Sequence, residues 1–194
     1  MNIVHDLDDT HNQMVVKLLE WHNTLYGTTF TFQDVISYNL WDLWGGDSHA
    51  SIRKFELFYD SEYFENIEIM PGSKKALEEL KAHTHYIVTS RPSTLKHQTE
   101  SWVHKHFPST FKDIIITNAH AIDGSALKKS EVCDKIGADI VIEDSLDNAI
   151  DCDNGKRLIL LMDKPWNQSK NLSETIIRVK NWEEALKHIR NYTN

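Results

Sequence analysis

Ile3-Val4-His5-Asp6-Leu7-Asp8-Asp9-Thr10 sets a short apolar run directly ahead of two carboxylates spaced two residues apart. In an extended segment, side chains at i and i+2 point the same way. Asp6 and Asp8, at the end of a first strand, can therefore converge on one point. Two crowded anions need a proton or a cation, and a hard, oxygen-preferring ion such as Mg2+ is the natural partner. With that ion in place, one carboxylate can attack a phosphoryl group while the other handles a proton. A calcium loop of the EF-hand kind does not fit, because His11 and Lys17 stand where its Gly and Glu are required. The bland alternative is an acidic turn in which Asp9 or Thr10 caps the next helix.

Further short apolar runs follow: Tyr86-Ile87-Val88, Ile114-Ile115-Ile116, Ile140-Val141-Ile142 and Leu158-Ile159-Leu160-Leu161. Each is mostly apolar with polar flanks, as buried parallel strands are. Helical patterns alternate with them at Ser73 to Ala82, Thr94 to His106, Lys129 to Ile136, Leu146 to Asp153 and Trp182 to Arg190. Strand alternating with helix implies βαβ units, hence an α/β fold with a doubly wound, Rossmann-like parallel sheet. Residues 11–69 differ: Met14, Leu18, Trp21 and Leu25 recur at helical spacing, and no strand is convincing before residue 70. The expected organisation is a core of residues 1–10 and 70–194 carrying a small helical insert, 11–69.

The 194 residues suit one domain with such an insert, and 40% apolar against 26% charged residues is ordinary for a globular chain. With 21 basic and 29 acidic residues the net charge is -8, which argues against long nucleic acid or an anionic membrane as partner. No apolar run approaches a membrane span, and the acidic N-terminus lacks a secretory layout. Cys133 and Cys152 fall in expected helices and read as small apolar residues, so cytoplasmic residence is the default. A homodimer stays open.

Ligands of such sheets sit beyond the C-terminal strand ends. Asp6 and Asp8 follow the first strand, Thr89-Ser90-Arg91 follow Tyr86-Ile87-Val88, and Glu143-Asp144-Ser145 follow Ile140-Val141-Ile142. Lys129 opens the helix before that last strand, and its spacing to Cys133 and Asp144 favours it over Lys128. The set resembles the four motifs of the haloacid dehalogenase-like hydrolases. The wording of Ile69-Met70-Pro71-Gly72, Val88-Thr89-Ser90-Arg91-Pro92, Lys129-Ser130-Glu131-Val132-Cys133 and Asp163-Lys164-Pro165-Trp166-Asn167 resembles the 5′-nucleotidase and 5′(3′)-deoxyribonucleotidase branch. That branch carries a small helical cap between its first two motifs, where the insert falls.

The resemblance implies a Mg2+-dependent phosphomonoesterase acting on a small phosphate ester, a nucleoside monophosphate first among them. Asp6 would be the nucleophile and a metal ligand. Asp8 would exchange protons with the leaving oxygen and with water, its backbone carbonyl on the metal. Thr89, Ser90 and Lys129 would hold the phosphate, and Asp144 would complete the metal shell with help from Glu143. Crowding of these acids would favour a proton on one of them, Asp8 being the expected carrier.

His5 and His11 depart from the family, which carries apolar residues or Gly there, and the fourth motif is Glu-Asp rather than Asp-Asp. That spelling also occurs among phosphohydrolases and mutases of sugar phosphates, so a sugar or other small-metabolite phosphate remains the alternative substrate. A non-catalytic nucleotide sensor is a third reading, disfavoured by the intact set of catalytic residues. His97, His104 and His106 read as surface histidines. The insert aromatics Phe30, Phe32, Tyr38, Trp41 and Trp44 read either as the core of a small helical bundle or as base-stacking groups, since aromatic faces hold bases by about 1–3 kcal/mol each. At least one is expected to line the pocket, Trp41 and Trp44 beside Gly45-Gly46 first among them.

Overall fold

Continuous apolar runs can be buried on both faces only if helices cover both sides of their sheet. The computed structural model, which describes residues 1–119, 121, 125–169 and 171–193, has that arrangement. In chain order its elements are β1 (Asn2–His5), α1 (Met14–Tyr26), α2 (Trp41–Trp44), α3 (Ser48–Tyr59), α4 (Glu62–Glu65), α5 (Ser73–Glu79), β2 (Thr84–Thr89) and α6 (Lys96–His106). There follow β3 (Phe111–Ile116), α7 (Lys129–Ile136), β4 (Ile140–Glu143), α8 (Leu146–Cys152), β5 (Leu158–Met162), β6 (Ile176–Val179) and α9 (Trp182–Thr193). The strands form one parallel sheet in the order β3-β2-β1-β4-β5-β6. The chain winds outward from β1 to β3, returns beside β1 as β4, and winds the other way. The crevice between the ends of β1 and β4 is therefore the switch point where such sheets bind ligands.

Alternation along the strands sorts side chains between the faces. Ile3, Ile140, Ile142, Leu158 and Leu160 pack under Ala76 and Leu80 of the α5 region and Trp182, Ala185 and Ile189 of α9. Val4, Val141, Ile159 and Leu161 pack under Val132 and Cys133 of α7 and Ala149 and Cys152 of α8. The same period of two puts Asp6 with Val4, and Glu143 with Val141, on the α7 side. That parity turns both acids toward Lys129.

The elements differ in detail from expectation. α5 stops at Glu79 because the chain turns at Leu80 into β2, and a 3-10 turn (Ser93–Leu95) precedes α6. β6 was not anticipated; its Ile176-Ile177-Arg178-Val179 run is broken by a charge and only partly buried.

No strand occurs between residues 14 and 65, where α1 to α4 gather around Trp21, Phe58 and Phe64. The chain leaves the core and re-enters it at one place. Gln13 N donates to Glu68 O at 2.9 Å, and Met70 N to His11 O at 2.8 Å. Pro71-Gly72 then starts α5. Gly72 has φ +85°, and a Cβ there would stand 3.2 Å from Cβ of Trp182, so glycine is required for both reasons. Phe58 is fully buried, with the Trp21 and Phe64 rings each 5.6 Å away. Phe58→Ala should lower stability in urea unfolding by about 3–5 kcal/mol; a loss under about 1 kcal/mol would show that this cluster does not hold the insert together.

Candidate active site

Lys129, the first residue of α7, points its ammonium between two strand ends. Its Nζ donates to Asp6 Oδ1 after β1 and to Glu143 Oε1 at the end of β4. All three side chains are buried. One carboxylate oxygen each from Asp6, Glu143 and Asp144 lie within 4.8 Å of one another. The acids of the first and fourth motifs, distant in the chain, therefore meet at the switch point. Lys128 is exposed.

The three acids are held differently. Glu143 is saturated: Oε2 accepts from the backbone N–H groups of Asp144 (2.9 Å) and Ser145 (2.8 Å), and Oε1 from Lys129 and Asn148 Nδ2 (3.1 Å). Asp144 Oδ2 accepts from the Tyr38 hydroxyl at 2.7 Å and the Trp166 indole N–H at 3.1 Å. Its backbone carbonyl accepts from Asn167 Nδ2 at 2.6 Å. Asp6 Oδ2 and Asp144 Oδ1 have no hydrogen-bond partner among the described residues. Burial pushes Asp6 well above the usual carboxylate range; Lys129 opposes this, while Glu143 and Asp144 add to it. Burial and the neighbouring Glu143 charge push Asp144 up as well. Burial alone would lower the Lys129 ammonium, but Asp6 and Glu143 outweigh it and keep it firmly protonated.

Asp8 does not join this group. Arg91 Nε donates to its Oδ2 at 2.9 Å and Nη2 to its Oδ1 at 2.7 Å, with Asn12 Nδ2 on Oδ1 at 2.8 Å. Burial would raise Asp8, but the Arg91 charge and these hydrogen bonds hold it below its ordinary value. The expectation that crowding leaves the proton on Asp8 is thus corrected: the carboxyls pushed upward are Asp6, Asp144 and Asp9, the last to about 7 by burial. Asp9 is structural. Its carboxylate accepts from Val15 N at 3.1 Å and so caps the first turn of α1.

Thr89 is buried at the end of β2, its Oγ1 accepting from Arg91 N at 3.3 Å, and half-buried Ser90 follows with no hydrogen-bond partner among the described residues. Trp44 faces the insert instead of the acids: its indole donates to Ser51 Oγ at 2.7 Å and stacks on His22 with centroids 4.9 Å apart. Trp41 is half-buried and belongs to none of the apolar clusters. The aromatic groups at Asp144 are Tyr38 and Trp166, with Phe32 edge-on to Trp166 at 5.3 Å. Cys133 and Cys152 are buried with their sulfurs 3.9 Å apart, and His97 and His104 are exposed as expected.

The family model described as "5' nucleotidase, deoxy (Pyrimidine), cytosolic type C protein" matches residues 1–192. The chain belongs to this family. It is a phosphohydrolase of the haloacid dehalogenase-like superfamily. A nucleotidase of Clostridium acetobutylicum is 23% identical over 189 residues, covering 95% of this chain and 91% of that protein. The fold is shared with a haloacid dehalogenase-like hydrolase from Streptococcus pneumoniae at a TM-score of 0.71 and 13% identity, covering 100% of this chain and 98% of the other. It is shared too with the HAD-hydrolase YfnB of Bacillus subtilis, solved bound to magnesium, at a TM-score of 0.60 and 17% identity, covering 98% of each chain. Among the described residues no helix is long and apolar enough to cross a membrane.

The two histidines that depart from the family pattern are joined in a buried chain with His85 and Ser73. His85 Nε2 lies 3.0 Å from Leu80 O, His5 Nε2 2.9 Å from His85 Nδ1, His11 Nε2 2.9 Å from His5 Nδ1, and Ser73 Oγ 2.6 Å from His11 Nδ1. A carbonyl only accepts, so His85 donates to Leu80 from Nε2 and accepts at Nδ1. Each ring in turn must be neutral with its proton on Nε2, and Ser73 donates at the far end. Trp182 stacks on His11 at 4.7 Å and donates to Thr10 O at 3.0 Å, closing the packing behind the Asp6–Thr10 loop. The sequence signal was present in the departures themselves, but nothing local joins residues 5, 11, 73 and 85.

Burial lowers the pKa of His5, His11 and His85, His11 to about 3 from 6.5. Below pH 6.5 the unfolded chain binds protons that the folded chain refuses, so these rings withdraw stability as pH falls toward about 3. His11 contributes about 1.4 kcal/mol per pH unit in that window. The raised Asp6, Asp9 and Asp144 act in the opposite sense, so the histidine share is read by difference. Gln can donate and accept in place of the ring, and His11→Gln should make the loss of urea stability between about pH 6 and 5 shallower by about 1.4 kcal/mol per pH unit. An unchanged slope would mean that His11 is not held neutral.

Proposed function

We propose that this chain is a Mg2+-dependent phosphomonoester hydrolase that works through an aspartyl-phosphate on Asp6, in the 5′(3′)-nucleotidase class acting on (deoxy)nucleoside monophosphates. The observation that carries the reading is the Lys129 ammonium between Asp6 and Glu143, with an Asp144 oxygen within 4.8 Å of theirs. The donor set fits the ion. Asp6 and Asp144 are buried, hard oxygen donors, each with one oxygen free, and a cation beside them would offset the burial and the Glu143 charge that raise both carboxyls. Those two residues, with the Asp8 backbone carbonyl that the family resemblance adds, would hold Mg2+. When bound, it would neutralise phosphate charge beside the nucleophile.

The chain's own groups divide the remaining work. One carboxylate oxygen of Asp6 attacks phosphorus as the ester P–O bond breaks, the other being the one that would hold the ion, and Lys129 offsets repulsion between the two anions. Glu143, with every acceptor site filled, holds Lys129 and the 144–145 backbone and is assigned no ligand role. Thr89 and the unpaired Ser90 hydroxyl are assigned to the phosphate oxygens. Asp8 gives the leaving oxygen a proton and later takes one from the water that hydrolyses the acyl phosphate. Arg91 keeps Asp8 ionised, which suits the second task; for the first, Asp8 must leave the guanidinium and take a proton from solvent before the ester bond breaks. We assign residues 11–69 as a cap over the core, 1–10 and 70–194. Phe32, Tyr38 and Trp166, rather than Trp41 and Trp44, form the base platform.

Family membership and the nucleotidase relative support the substrate class. The test is phosphate release from deoxy- and ribonucleoside monophosphates and from sugar phosphates, with Mg2+ and with chelator. Nucleotides should be preferred, chelation should abolish turnover, and Asp6→Asn should lower kcat by at least about a thousandfold. Undiminished turnover in the Asn variant rejects the nucleophile, and strong preference for sugar phosphates overturns the substrate.

A further inference from the structure

The two oxygens of Asp144 are treated unequally by the fold. Oδ2 accepts from Tyr38 and Trp166, whereas Oδ1 has no partner among the described residues. A carboxylate has about four acceptor sites on two oxygens, so two donors fill Oδ2. The donors come from separate places. Tyr38 belongs to the insert, between α1 and α2, and Trp166 to the 3-10 turn (Pro165–Asn167) after β5. Asn167 fixes the Asp144 backbone carbonyl and is itself gripped by Arg178, and rotating the carboxylate to exchange its oxygens would break both bonds to Oδ2.

We propose that Tyr38, with Trp166, is a positioning residue that confines Asp144 to coordination through one oxygen and thereby favours Mg2+ over Ca2+. This rests on the metal reading given above. Mg2+ demands near-octahedral geometry at about 2.0–2.1 Å with few protein carboxylates, whereas Ca2+ takes about six to eight oxygens and often binds a carboxylate through both. Two-oxygen binding by Asp144 would require Oδ2, whose acceptor sites are filled. Removing the Tyr38 hydroxyl reopens one of them. Tyr38 is 49% exposed as a residue, and the Phe variant keeps the ring against Trp166, so deleting the hydroxyl removes no core packing.

The experiment is calorimetric titration of the full chain, without substrate, using MgCl2 and CaCl2 separately, on wild type, Tyr38→Phe and Trp166→Phe. The Mg2+ preference, read as the ratio of the Ca2+ to the Mg2+ dissociation constant, should fall about tenfold in Tyr38→Phe, as expected for one hydrogen bond to a charged group. Trp166→Phe should move it the same way, and keeps the test alive if the first variant fails to fold. A merely structural role would weaken both ions together, and that outcome, or a ratio unchanged within about twofold in the folded variants, overturns the proposal. Binding of neither ion by wild type removes the metal reading and this inference with it. Binding by wild type with an unmoved ratio removes this inference alone.

Discussion

One buried ammonium between two carboxylates is the constraint on which this molecule's chemistry depends. Without Lys129, Asp6 and Glu143 would be uncompensated acids at the meeting of two strands, and breaking such a buried pair is strongly destabilising. The ion pair also carries geometry. Lys129 starts α7, Asp6 follows β1 and Glu143 ends β4, so the three side chains join the helix to the switch point of the sheet. Glu143 passes the restraint onward through the N–H groups of Asp144 and Ser145. The orientation of the fourth-motif loop thus follows from a lysine in a different element.

The insert is tied to that centre by single, chemically distinct contacts. Tyr38 reaches Asp144, Phe64 lies 4.8 Å beneath the Arg91 guanidinium, and the Trp102 indole donates to Ile67 O at 2.9 Å. Leu95 and Trp166 of the core complete the apolar cluster of the insert. Arg91 is the junction of two of these demands, since the guanidinium resting on Phe64 is the one that clamps Asp8.

The sheet was legible because parallel strands buried on both faces leave uninterrupted runs, and the acids were legible because chemistry collects at strand ends. β6 escaped because Arg178 interrupts its run. What the sequence could not convey were contacts without local periodicity. Asp8 and Arg91 are 83 residues apart, and Tyr38 and Asp144 are 106 apart. Trp44 illustrates the same limit from the other side. An aromatic residue beside glycines announces area to be covered, not the direction it faces, and here it faces His22 and Ser51. The histidines at 5 and 11 looked like isolated departures until the fold placed His85 and Ser73 beside them.

That imidazole relay has a collective property. Its hydrogens admit two self-consistent orderings, and the Leu80 carbonyl at one terminus selects one of them for every ring. No member can change its tautomer alone; a reversal has to run the whole length, from α5 through β1 to β2, or leave two lone pairs or two N–H groups face to face. The backbone of one turn therefore dictates the hydrogen placement next door to Asp6, and a substitution that inverts a single donor would be felt at both termini.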